Sequence, residues 1–121
     1  STNGKNLALR WTAHDAGSGL LTFYLLNRAK NFDDYLAAIS HWNCAGQNFA
    51  FASHSGDIAI KQQGTFVARW KRQGDFILPG TDSTYAWQGM IPVEENPMIK
   101  NPVRGFVSSA NQQSTDSTYP Y

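Results

Sequence analysis

Gly46-Gln47-Asn48-Phe49-Ala50-Phe51-Ala52-Ser53-His54-Ser55-Gly56-Asp57-Ile58-Ala59-Ile60-Lys61 reads as two antiparallel strands joined by a tight turn. In the first strand Phe49 and Phe51 fall on one face and Asn48, Ala50 and Ala52 on the other, the period of two that a sheet imposes. His54-Ser55-Gly56-Asp57 carries turn residues. Ile58 and Ile60 then alternate with Ala59 and Lys61. Gly64 interrupts the pattern, and Thr65 to Trp70 predicts a third strand. A register shift of one residue would exchange the two faces throughout. Asn48 is by composition an edge or turn residue. Its side-chain amide nevertheless offers two donors. Donors fixed by a sheet can hold the oxygen of a tetrahedral intermediate.

Upstream, the alternation of Leu7, Leu9 and Trp11 with Ala8, Arg10 and Thr12 predicts a strand over 6–13. Gly17-Ser18-Gly19 is a loop. Leu20 to Lys30 is apolar and short, and periodicity alone leaves helix and strand both open. Asn31 predicts a helix start: its side chain can cap the first turn, and Asp33 and Asp34 complement the helix dipole. Phe32, Tyr35, Leu36 and Ile39 keep helical spacing, with an end near Trp42.

Downstream the chain changes character. All five prolines lie at or after Pro79, which excludes long helices. An irregular segment is expected, with short strands over 105–109 and a frayed, Ser/Thr/Gln-rich tail over 112–121.

The 121 residues are 41% hydrophobic and 16% charged, with a net charge of +1. That composition suits a folded chain. It lacks the basic surplus of a nucleic-acid binder, since Arg69-Trp70-Lys71-Arg72 is a single short run. No stretch is long and apolar enough for a membrane span. Cys44 is the only cysteine and reads as a buried small residue. His14, His41 and His54 lack ligand-like spacing for zinc. His14-Asp15 would point to opposite faces of an extended chain, and Glu94-Glu95 give no separation to read as a glycosidase pair.

Several landmarks follow one another in a fixed order. They are Leu9-Arg10-Trp11-Thr12 with His14-Asp15; Leu26 to Phe32; Gly46-Gln47-Asn48-Phe49 with Gly56-Asp57-Ile58; Arg69; and Leu78-Pro79-Gly80. Trp87 to Pro92 with Asn96-Pro97 come next, and Asn101-Pro102 through Gly105 to Asn111 close the series. Together they resemble the middle of the β chain of penicillin acylases (penicillin amidases), N-terminal nucleophile hydrolases. The resemblance covers nearly the whole chain.

It implies an α+β fold, an antiparallel-sheet-rich fragment of a four-layered αββα sandwich, with residues 1–121 forming a partial domain cut at both ends. It implies an amidohydrolase acting on small N-acyl amides, whose nucleophile is the first residue of an autocatalytically exposed β chain. Asn48 then supplies the side-chain donor of the oxyanion hole and Arg69 the active-site arginine. At position 68 the best-known members carry an acidic residue, and this chain has Ala68. Phe49 is a substrate-lining or a core residue, and Asp57 a turn residue or a calcium ligand. Ser1-Thr2-Asn3-Gly4 lacks the family's Ser-Asn start, so the nucleophile is expected outside this chain and the isolated segment is expected to be inactive. The implied partner is the remainder of the parent enzyme, its α chain and the rest of its β chain. No cofactor is required, although calcium occurs in some relatives. The implied location is periplasmic or secreted. A stand-alone aromatic-rich glycan- or peptide-binding module is the alternative reading.

Overall fold

The computed structural model describes residues 4, 6–15 and 17–121. Ser1 lies outside the described residues. The elements are two short helices, α1 (Gly19–Leu26) and α2 (Phe32–Ile39), and five strands. The strands are β1 (Gln47–Ala52), β2 (Ile58–Gln63), β3 (Val67–Ala68), β4 (Gly89–Met90) and β5 (Met98–Lys100). One antiparallel sheet has the order β1-β2-β5, and a second pairs β3 with β4.

α2 starts where its cap dictates. The Asn31 side-chain oxygen accepts from the Asp34 amide at 2.8 Å, and the Asp34 carboxylate accepts from the Lys30 amide at 2.9 Å. The first bond satisfies a donor that the first turn would otherwise leave open, and the second ties the residue before the cap to the helix start. The regular helix stops at Ile39, and a last turn carries the chain on, with the Trp42 amide donating to Ile39 at 2.9 Å. For the stretch after Gly19, where periodicity left two options, the answer is α1. Leu20, Leu21, Phe23 and Tyr24 are exposed on it, while Thr22 is fully buried.

The β1–β2 hairpin forms with Ala52 opposite Ile58 and Phe49 opposite Lys61. Gly56 takes φ +91°, which its lack of a Cβ permits. α2 packs on the face carrying Phe49 and Phe51. Phe51 lies 5.1 Å from Tyr35 and 5.3 Å from Phe32, and Phe49 lies 5.7 Å from Trp42. Ala59, opposite Phe51, is completely buried there. The Tyr35 hydroxyl donates to the Phe49 carbonyl at 2.7 Å and ties the helix to the strand.

Burial pushes the Tyr35 hydroxyl up from its ordinary 10.0 to about 12. The folded state therefore holds that proton more tightly than the unfolded chain. The associated stability is complete below the unfolded value and is lost as pH climbs towards 12. Tyr35→Phe in the intact polypeptide should cost about 1 kcal/mol at neutral pH. It should also flatten the alkaline arm of stability; an unchanged arm in denaturant melts at rising pH would refute the assignment.

Four expectations change. Residues 6–13 form no strand: the segment runs extended into a 3-10 turn (Thr12–His14), with Leu7, Leu9 and Trp11 exposed. Alternation marks a face only when a neighbouring strand supplies the ladder, and none pairs with it among the described residues. The third strand shrinks to Val67–Ala68. No strand forms over 105–109; β5 arises earlier because β2 has a free edge there, with Ile60 opposite Ile99. Asn101 extends that pairing, donating its amide to the Ile58 carbonyl at 2.8 Å and accepting the Ile58 amide on its side chain at 2.9 Å. The same side chain donates to Asp57 at 2.7 Å. The tail is anchored: the Tyr119 hydroxyl donates to the Glu95 carbonyl at 3.0 Å. Among the described residues, no helix is long and apolar enough to cross a membrane.

Candidate functional site

The sheet has two unlike faces. One is covered by α2. The other carries Asn48, Ala50, Ile60 and Gln62 and is open. The irregular C-terminal segment arches over that open face and encloses a groove of about 990 Å³ lined by Asn48, Ile60, Gln62, Ile99, Ser109 and Tyr119. Asn48 stands on the groove side because β1 alternates and the opposite face is filled with aromatic rings.

Its amide nitrogen donates to the Ser109 hydroxyl at 2.8 Å, across 61 residues of sequence. The contact uses one N–H of a two-donor amide. The other remains for an oxygen brought into the groove. The β1–β2 ladder sets the direction in which the side chain leaves the backbone, and the bond to Ser109 holds the amide itself. That is the condition for preorganised stabilisation of developing negative charge.

Phe49 does not share this face. It packs half-buried in the helix–sheet layer against Trp42. Arg69 directly follows β3 and lines a second hollow of about 610 Å³, together with Trp11, Gly46 and Phe66. Asn48 and Arg69 thus occupy adjoining hollows with common walls, Gln62 and the tail residues 112–115. Ser109 and the tail carry no mark in the sequence that would have assigned them to the site. Cys44 is half-buried, and its carbonyl accepts from the Thr65 amide at 3.0 Å. Among the described residues no three His, Cys, Asp or Glu side chains gather as a metal-ligand set.

Comparison with known proteins adds to this geometry. The sequence matches the family described as penicillin amidase over residues 1–121. The chain belongs to the penicillin amidase family. The acyl-homoserine lactone acylase QuiP of Pseudomonas fluorescens Pf-5 is 29% identical to it over 117 residues, which is 97% of this chain and 14% of that protein. The penicillin G acylase of Escherichia coli is 26% identical over 111 residues, 91% of this chain and 13% of that one. The chain therefore spans a small part of the length of the curated relatives it matches. The solved structure of a thermostable penicillin G acylase from Alcaligenes faecalis shares the fold, with a TM-score of 0.68 at 21% identity, over 82% of this chain and 18% of that chain. This penicillin amidase segment is α+β, as its sequence predicted, with antiparallel sheets and a two-helix layer on one side.

Proposed function

We propose that these residues belong to the β chain of an N-acyl amide hydrolase and carry the oxyanion-stabilising part of its active site. The observation that carries the reading is Asn48: a sheet-borne side-chain amide, pinned at one N–H by Ser109 and open to a groove, in a chain of the penicillin amidase family.

In this reading the nucleophile comes from outside the chain, as the first residue of the mature β chain. Its α-amine, with an unperturbed pKa of about 8, removes the hydroxyl or thiol proton. The freed oxygen or sulfur adds to the amide carbon, and the carbonyl oxygen becomes an anion facing the Asn48 amide. Collapse of that intermediate breaks the C–N bond, and the amine leaves with the proton from the α-ammonium. Water then hydrolyses the acyl-enzyme, returning the nucleophile and releasing the acid. Arg69 contributes a fixed positive charge beside the groove. Phe49 supports β1 from behind and does not line the acyl site.

The mechanism requires no cofactor; calcium would be a structural ion of the intact parent. A periplasmic or secreted location belongs to the same reading, and the remainder of the enzyme is the partner. The segment alone gives no turnover. Phe32, Tyr35 and Phe51 pack on one another and Phe49 packs on Trp42, so a separate glycan- or peptide-binding platform would have to use exposed rings such as Trp11 and Tyr24.

The test uses the intact polypeptide that contains this sequence. Mass spectrometry should find two chains, the larger beginning at a Ser, Thr or Cys upstream of Asn48. The mature protein should release acid from penicillin G or from an N-acyl-homoserine lactone. A folded, uncleaved single chain inert towards both classes would overturn the proposal.

A further inference from the structure

We propose that Trp87 is a positioning residue for Arg69, holding its guanidinium by an aromatic face where a carboxylate would otherwise do so. The proposal rests on the reading of Arg69 as an active-site residue and says how the protein fixes it.

The sequence leaves Arg69 without an acidic neighbour, since Ala68 precedes it and Trp70 follows. The structure supplies none either. Among the described residues the one ion pair is Arg72 with Asp75. An exposed arginine without a partner samples many rotamers, and a charge that wanders stabilises nothing in particular.

Two features restrain Arg69 instead. Its guanidinium carbon lies 5.9 Å from the centroid of the Trp87 ring, within cation–π range. On another side it meets the Gly74 turn so closely that a Cβ built on Gly74 would stand 3.3 Å from its Nη1. The platform and the turn are joined to each other. Gln73, only 6% exposed, donates from one amide nitrogen to the Tyr85 carbonyl at 3.0 Å and the Ala86 carbonyl at 3.1 Å. That segment leads directly into Trp87. Trp70 meets Tyr85 edge-on at 6.1 Å. The Gln88 amide donates to the Ala68 carbonyl at 3.2 Å and continues the β3–β4 ladder beside the ring. The circuit therefore closes from Arg69 through the turn, Gln73 and Trp87 back to Arg69.

Arg10 occupies the same indole, its guanidinium carbon 4.4 Å from the centroid. This brings Arg10 of the 6–15 segment against the same ring, closer than Arg69. A segment that forms no strand thereby serves the site through a side chain.

The deciding experiment is a double-mutant cycle in the intact, processed enzyme, with penicillin G and an N-acyl-homoserine lactone as probes. Trp87→Leu should lower kcat/KM about tenfold, the scale of one partly desolvated cation–π contact. Trp87→Phe, which keeps a π face, should retain most of the activity. Trp87→Leu added to Arg69→Ala should cost little beyond Arg69→Ala alone. If Arg69→Ala is harmful but Trp87→Leu is harmless, or adds its full cost on top, the platform is wrong and the role of Arg69 stands. If Arg69→Ala itself leaves kcat/KM unchanged, the assignment of Arg69 fails and the platform with it, while the reading of Asn48 is untouched. If Trp87→Leu does not mature, Trp87→Phe and Gly74→Ala decide: the first should be near wild type and the second impaired, and the reverse order overturns the proposal.

Discussion

In the intact enzyme, Asn48→Ala is expected to lower kcat by roughly 10²- to 10³-fold with little change in KM, the usual cost of one oxyanion-hole donor. The split follows from when the contact matters. A neutral carbonyl gains little from the second N–H of Asn48, whereas the anion formed on nucleophilic attack gains a charge-assisted bond. Asn48→Asp should be at least as damaging, because a carboxylate accepts and does not donate, and its charge repels the oxyanion. Neither variant should unfold the protein. Asn48 lies on the exposed face, beside Ala50 and Ala52, and the helix-facing side of β1 is unaltered. The check is steady-state kinetics on material shown to be processed and folded. A kcat within threefold of the parent for Asn48→Ala would remove Asn48 from the chemistry.

Gly64→Ala is expected to destabilise the fold by about 3 kcal/mol, the upper part of the ordinary overpacking range. A Cβ at Gly64 would stand 2.7 Å from the Gly46 Cα, 2.9 Å from the Gly46 nitrogen and 3.0 Å from the Cys44 carbonyl oxygen. All three are backbone atoms, so no side chain can swing aside. Gly46 cannot retreat freely, because its other side faces the Phe66 ring. This crossing places the loop that feeds β1, two residues before Asn48, so the variant should lose activity as well as stability. Gly80→Ala is the control. Nothing lies within 4 Å of the Cβ it would add, and its effect should be within about 0.5 kcal/mol. Denaturant melts of the two variants decide the matter, and equal midpoints would refute the crossing as a constraint.

The parts of the fold legible in the sequence are those whose cause is local. The cap at Asn31, the spacing of Phe32, Tyr35 and Ile39, and the turn at Gly56 each act within a few residues, and α2 and the β1–β2 hairpin form where these signals stand. The alternation over 6–13 and the short strands expected over 105–109 gave no strand, because a strand needs a partner. Partner availability is a property of the assembled sheet, as the free edge of β2 that took Met98–Lys100 shows.

The site divides along the same line. Asn48 and Arg69 were visible as residues of suitable chemistry in a family-like order. Their surroundings were not. The pattern within β1 determined that Asn48 and Phe49 point to opposite sides, but only the packing of Tyr35 and Phe51 decided which side became core. Only the tertiary structure brought Ser109 to Asn48 across 61 residues and set Trp87 beside Arg69. A sequence fixes the chemistry and the alternation of its side chains through local backbone geometry. Contacts between distant segments are decided by which surfaces can exclude water together, and that is settled only when the chain has closed on itself.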